Sequence, residues 1–117
     1  ACTMEKHVEL GCLLDYYGAL LTERQRALLE QHVSEDCSLA EIAEREGISR
    51  QGVRDALKRG EEQLYELEHK LGLMKRDAAL LQAVGELKRI ADALPDSMRE
   101  KETFCAKLDE FYDMIEE

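Results

Sequence analysis

Tryptophan is missing from this chain, and proline occurs once, at Pro95. Proline breaks a helix interior, so its scarcity leaves long helical runs free to form. No segment is enriched in β-branched residues in the alternating pattern of a half-buried strand, and there is no internal repeat or low-complexity tract. No apolar stretch approaches the roughly 18–20 residues that span a bilayer, and no leader pattern opens the chain. A cytoplasmic protein without a membrane partner is expected. Ala1-Cys2-Thr3 stand ahead of Met4 and are read as an appended remnant or an upstream start.

The chemistry of common active sites is also missing. Cys2, Cys12, Cys37 and Cys105 lie far apart, with no CxxC and no histidine pair beside them, which argues against zinc and against a disulfide framework. All four are expected as reduced thiols, Cys12 packed among Leu13, Leu14 and Tyr16. His7, His32 and His69 belong to three separate predicted helices, so no metal site is expected. The glycines are scattered singly and build no phosphate loop. No Ser/His/Asp or Cys/His arrangement follows from spacing. The expectation is a protein that binds, with no cofactor and no catalytic residue.

What the chain has is apolar residues and charge. Of 117 residues, 44% are hydrophobic and 36% charged, enough apolar material for a core and too much for a disordered chain. That mix favours helices wetted along one face. The net charge is −10, and acid outnumbers base in residues 1–33, 34–72 and 73–117 alike. Affinity for nucleic acid comes from neutralised phosphates, so any such contact must come from a local stripe of cations.

The apolar periodicity predicts six helices. Leu10, Leu13, Leu14, Tyr17, Leu20 and Leu21 mark the first, over 5–21. Thr22 and Gln25 form a potential capping box for the second, whose inner face is expected at Ala27, Leu28 and Val33. Ser38 and Glu41 repeat the box before a short third helix edged by Leu39, Ile42 and Ala43, which Gly47 should end. Ser49 caps the fourth. Its inward positions, Val53, Leu57, Gly60, Leu64, Leu67 and Leu71, predict one long helix stopped by Gly72, and Gly60 permits another helix to approach closely. The fifth, over 73–94, carries Leu80, Val84, Leu87, Ala91 and Leu94. Asp96 or Ser97 should cap the sixth, which carries Phe104, Leu108, Phe111 and Ile115. Two domains are expected, 4–72 and a C-terminal helical hairpin at 73–117.

The segment Leu39–Lys58 has the requirements of a helix-turn-helix. Ala43 is small where two helices cross, Gly47 allows the tight turn, Ile48 plugs the core after it, and Val53 and Leu57 anchor the second helix. Ser49 leaves the start of that helix pointed outward. Arg50, Arg54 and Lys58 are four apart and align as one stripe, with Gln51 and Arg59 beside it. Arginine holds guanine or phosphate with two prongs, glutamine does so for adenine, and lysine supplies a point charge. Ser49, Arg50, Gln51, Arg54, Lys58 and Arg59 are therefore the candidate nucleic-acid contacts. The competing view is a solvated face, balanced in part by Asp55–Arg59 and Lys58–Glu62 pairs.

The runs LLDYYGALLTERQR (13–26) and SLAEIAEREGISRQGV (38–53) together resemble the bacterial YlxM family, small all-α proteins with a helix-turn-helix similar to region four of sigma factors. The match covers about 8–76 well, and the C-terminal hairpin only in helical character. Gly52 departs from the family, where a residue with a side chain is usual, and Gly60 interrupts the long helix. The resemblance implies a regulatory protein of the signal recognition particle pathway. Its partners would be DNA or the particle's RNA, or, for an adaptor without nucleic-acid contact, the particle's GTPase. A homodimer is expected, because helix-turn-helix proteins commonly pair to read two half-sites and because Leu64, Leu67 and Leu71 need a cover.

Overall fold

A computed structural model describes the backbone of residues 3–116 and the side chains of residues 6–116. The described residues are helical, with no strand: α1 (Thr3–Tyr17), a 3-10 turn (Gly18–Leu20), α2 (Glu23–Val33), α3 (Leu39–Glu46), α4 (Arg50–Leu71), α5 (Leu73–Asp92) and α6 (Lys101–Glu116). The chain divides into two compact units, Ala1–Gly72 and Leu73–Glu117.

In the first unit α4 packs against α1, α2 and α3. Leu10, Leu13, Leu14 and Tyr17 of α1 meet Leu28 and Leu29 of α2, Ile42 and Ala43 of α3, and Val53, Leu57 and Leu64 of α4 in one buried core. Each large apolar side chain taken fully out of water there contributes roughly 1.5–3 kcal/mol. Tyr17 is fully buried, and its hydroxyl donates to Glu68 Oε1 at 2.5 Å, tying α1 to the far part of α4.

Several expected positions move. α1 stops at Tyr17, not at 21, because Thr22 must be extended (φ −65°, ψ 154°) to cap α2, so the chain has to leave the helix before it. The 3-10 turn makes that exit, closed by Leu21 N–H donating to Gly18 O at 3.1 Å, and it turns Leu20 out to solvent while Leu21 stays buried. Thr22 Oγ1 accepts from Gln25 N–H at 3.2 Å, but only this half of the expected box forms among the described residues. On α2, Ala27 is exposed and Leu29 takes the inner position beside Leu28. Cys12 is exposed, since the buried face of α1 runs through Leu10, Leu13, Leu14 and Tyr17 and leaves Cys12 and Tyr16 on the other side. Cys37 is the buried thiol; Cys12, Cys37 and Cys105 are all free, and Cys2 lies outside the described residues. The seam of α4 holds to Leu64, with Leu67 half-buried and Leu71 exposed just before the left-handed stop at Gly72 (φ 63°).

The second unit is a hairpin whose pairings run in opposite order along its two helices. Lys88 meets Asp109 at 3.0 Å, Cys105 Sγ approaches Asp92 Oδ1 at 3.6 Å, and Lys101 donates to Asp92 O at 3.0 Å. α5 ends at Asp92, two residues before the expected end. Pro95 disfavours helical backbone at Leu94, and the last N–H groups fold into turn bonds, Leu94 to Ala91 O at 3.2 Å. α6 begins only at Lys101, so neither Asp96 nor Ser97 caps it; the Asp96 carboxylate instead takes Lys101 Nζ at 2.7 Å. Within the hairpin the two helices bury only Val84, Ala91 and Leu108, and Leu80, Leu87, Phe104 and Phe111 are exposed.

Candidate nucleic-acid interface

Ser38 opens the motif. Its Oγ accepts from Glu41 N–H at 3.1 Å and its own N–H donates to Glu41 Oε1 at 3.3 Å, so both halves of this capping box form. Those bonds from Ser38, with the Arg45 charge helping, hold the Glu41 carboxyl below the usual carboxylate range. α3 ends at Gly47 in the left-handed conformation (φ 67°), and Ile48 N–H returns to Ala43 O at 3.1 Å. Ile48 is half-buried after the turn, as the motif requires.

Ser49 is extended and caps α4 by accepting Gly52 N–H on its Oγ at 2.9 Å. A Cβ at position 52 would stand 3.2 Å from that oxygen, so glycine leaves the cap uncrowded. Val53 and Leu57 are buried against the rest of the unit. Their burial turns the opposite face outward: Arg50, Gln51, Arg54, Lys58 and Arg59 are all exposed.

The six candidates are not equivalent. Among the described residues, the side chains of Arg50, Arg54, Lys58 and Arg59 form no ion pair or hydrogen bond. The expected Asp55–Arg59 and Lys58–Glu62 pairs do not form; Asp55 Oδ1 accepts from Gln51 Nε2 at 2.9 Å instead, one turn away on the same face. Gln51 must leave Asp55 to read a base, and Ser49 already serves its own helix. The four cations are free to act. The partial positive charge at the start of α4 adds to theirs.

Two residues beside this face escaped the sequence. Lys6 of α1 and His32 of α2 line an open groove together with Arg54 and Lys58. They come from 22 or more positions upstream in the chain, so no local spacing announces them. The structure also brings His7 and His32 together, ring centroids 5.8 Å apart, although sequence spacing separates them. No cluster of three or more His, Cys, Asp or Glu suited to a metal ion occurs among the described residues. Among them, too, no helix is long and apolar enough to cross a membrane.

The comparisons with known proteins agree with the helix-turn-helix. Residues 4–111 match the family UPF0122, described as "Putative helix-turn-helix protein, YlxM / p13 like". The chain belongs to the UPF0122 family. A UPF0122 protein of Thermoanaerobacter sp. (strain X514) is 43% identical over 90 residues, 77% of each chain. Another, from Caldanaerobacter subterraneus subsp. tengcongensis, is 49% identical over 76 residues, 65% of each. A third, from Symbiobacterium thermophilum, is 42% identical over 83 residues, 71% of this chain and 78% of its own. The UPF0122 match runs through the whole helix-turn-helix and into α6, so the hairpin belongs to the family's pattern as well.

Proposed function

We propose that this UPF0122 protein is a DNA-binding regulator that lays α4 in the major groove. The observation that carries the reading is the row Arg50, Arg54, Lys58: three cations at four-residue spacing, exposed and without partners among the described residues, on the second helix of a helix-turn-helix. In a chain of net charge −10, such a row is the local exception that phosphate binding needs. Duplex DNA is favoured over RNA because the B-form major groove admits a helix, whereas the deep, narrow groove of A-form RNA does not. We infer the setting, the signal recognition particle pathway in a bacterial cytoplasm, from the resemblance to the YlxM family. Two copies would present two α4 helices to two half-sites.

A second reading has its own support. The exposed Leu80, Leu87, Phe104 and Phe111 of the hairpin, with the acidic surface, suit an adaptor that holds a protein such as the particle's GTPase. Selection from a randomised pool of duplexes separates the two. The DNA-binding reading expects enrichment of a short motif, symmetric if two copies bind. A pool that stays random, with the particle's RNA also unbound, would favour the adaptor.

A further inference from the structure

The groove beside the recognition helix is a concave place on the first unit where cations from three helices converge. It has a volume of about 400 Å³. Lys6 comes from α1, His32 from α2, and Arg54 and Lys58 from α4; Leu57 and the half-buried Leu39 give it an apolar floor. We propose that this groove binds a phosphodiester of the DNA strand that flanks the base pairs facing α4. The proposal rests on the reading of α4 as the DNA-contacting helix and names a second contact for it, outside the helix-turn-helix.

Charge and shape both point to that ligand. Among the described residues that line it, three basic side chains face one acid, Glu61, and the acid is only loosely engaged, 3.7 Å from Lys6 Nζ. Arg54 and Lys58 offer their charges without partners among the described residues. His32 Nδ1 is buried with no hydrogen-bond partner among them. The neighbouring His7 is already occupied, its Nε2 lying 2.9 Å from Val33 O. The apolar floor weakens screening and lets the lysine stems lie against it while their ammonium groups reach the ligand. The groove is open, not an enclosed pocket, which suits a chain that enters and leaves more than a free small molecule.

Glu61 has a defined part in this arrangement. It holds Lys6 when the groove is empty and competes with the phosphate for it when the groove is filled. Removing the acid should therefore strengthen binding.

The test is titration of a labelled duplex at several salt concentrations with the full chain, Lys6→Ala, Glu61→Gln and, as a control on the hairpin, Lys107→Ala. Lys6→Ala should weaken binding roughly three- to tenfold and lower the salt slope by about one unit, while Glu61→Gln should tighten it about two- to threefold. Lys107→Ala should match the parent. If the parent binds and both groove variants bind with its affinity and slope, the groove proposal is overturned and the reading of α4 stands. If the parent binds no duplex at low salt, the reading of α4 falls, and inorganic phosphate followed through the His32 ring resonances decides the groove. Saturable displacement in the parent that Lys6→Ala abolishes supports it; no displacement overturns it.

Discussion

Leu29 of α2 closes directly onto Gly60 of α4: a Cβ built at Gly60 would lie 2.8 Å from Leu29 Cδ1 and 3.4 Å from its Cγ. Leu29 is almost fully buried, so its methyl has little room to retreat. Glycine inside a helix costs roughly 1 kcal/mol against alanine, yet overpacking a well-filled core costs about 1–3 kcal/mol. The second effect wins where the neighbour is fixed. Gly60→Ala should therefore leave the protein no more stable or less stable by up to about 2 kcal/mol, and Gly60→Val should cost more. Chemical denaturation measures both. Pairing Gly60→Ala with Leu29→Val should recover part of the loss; a gain of stability in Gly60→Ala alone would show that the contact is slack.

Gly47 makes the opposite kind of demand. Nothing lies within 4 Å of a Cβ built there, so any cost of a side chain comes from the backbone alone, at φ 67°. Gly47→Val should destabilise by about 1–3 kcal/mol, and Gly47→Asn by much less, because asparagine tolerates the left-handed region. Equal melting temperatures for valine and asparagine would refute the turn.

The capping box at Ser38 predicts a pH response. Glu41 has its carboxyl lowered by the Ser38 bonds, so the folded state holds the charged form better than the unfolded chain does. Stability from this pair is present above the unfolded carboxylate value of about 4 and drains away as pH falls through the lower, folded value. Glu41→Ala should lower the melting temperature near neutral pH and reduce the part of the acid sensitivity that lies below about pH 4. A variant whose acid limb superimposes on the parent's would contradict the assignment.

On the hairpin, one side carries the Lys88–Asp109 pair and Lys88 over the Tyr112 ring at 4.7 Å, while Leu87, Ile90, Phe104 and Phe111 remain exposed. Ile90 is 63% exposed. The homodimer we propose would use this apolar material. Light scattering at tens of micromolar should give a dimer for the parent and a monomer for Leu87→Glu combined with Phe111→Glu. Only monomer in the parent would count against it.

The sequence made the helix-turn-helix legible because its signals are local. Ser38 with Glu41, Gly47, Ser49, and the Val53–Leu57 step each act within one or two turns, and each holds its place. Where a helix face depends on what packs across from it, local spacing failed. Leu29 and not Ala27 faces inward on α2 because Gly60, 31 residues later, opens a place for it. The ends of α1, α5 and α6 shifted because a neighbouring cap, proline or ion pair claimed the boundary residues. Of the candidate contacts, the exposed row on α4 was readable from a four-residue repeat. The engagement of Gln51 with Asp55, and the approach of Lys6 and His32 to Arg54, needed the fold.

The salt dependence of duplex binding tests the central claim most directly. For the parent, the logarithm of the association constant should fall linearly with the logarithm of salt, and Arg50→Ala, Arg54→Ala and Lys58→Ala should each flatten the line by about one unit. A substituted arginine that reads a base should instead relax sequence preference at a cost of roughly 1–3 kcal/mol. Circular dichroism should show all three variants folded, since Val53 and Leu57 hold α4 from its other face. A parent that binds no duplex at low salt, yet retains a protein partner after nuclease treatment, would contradict the account and make the helix-turn-helix a protein-docking scaffold.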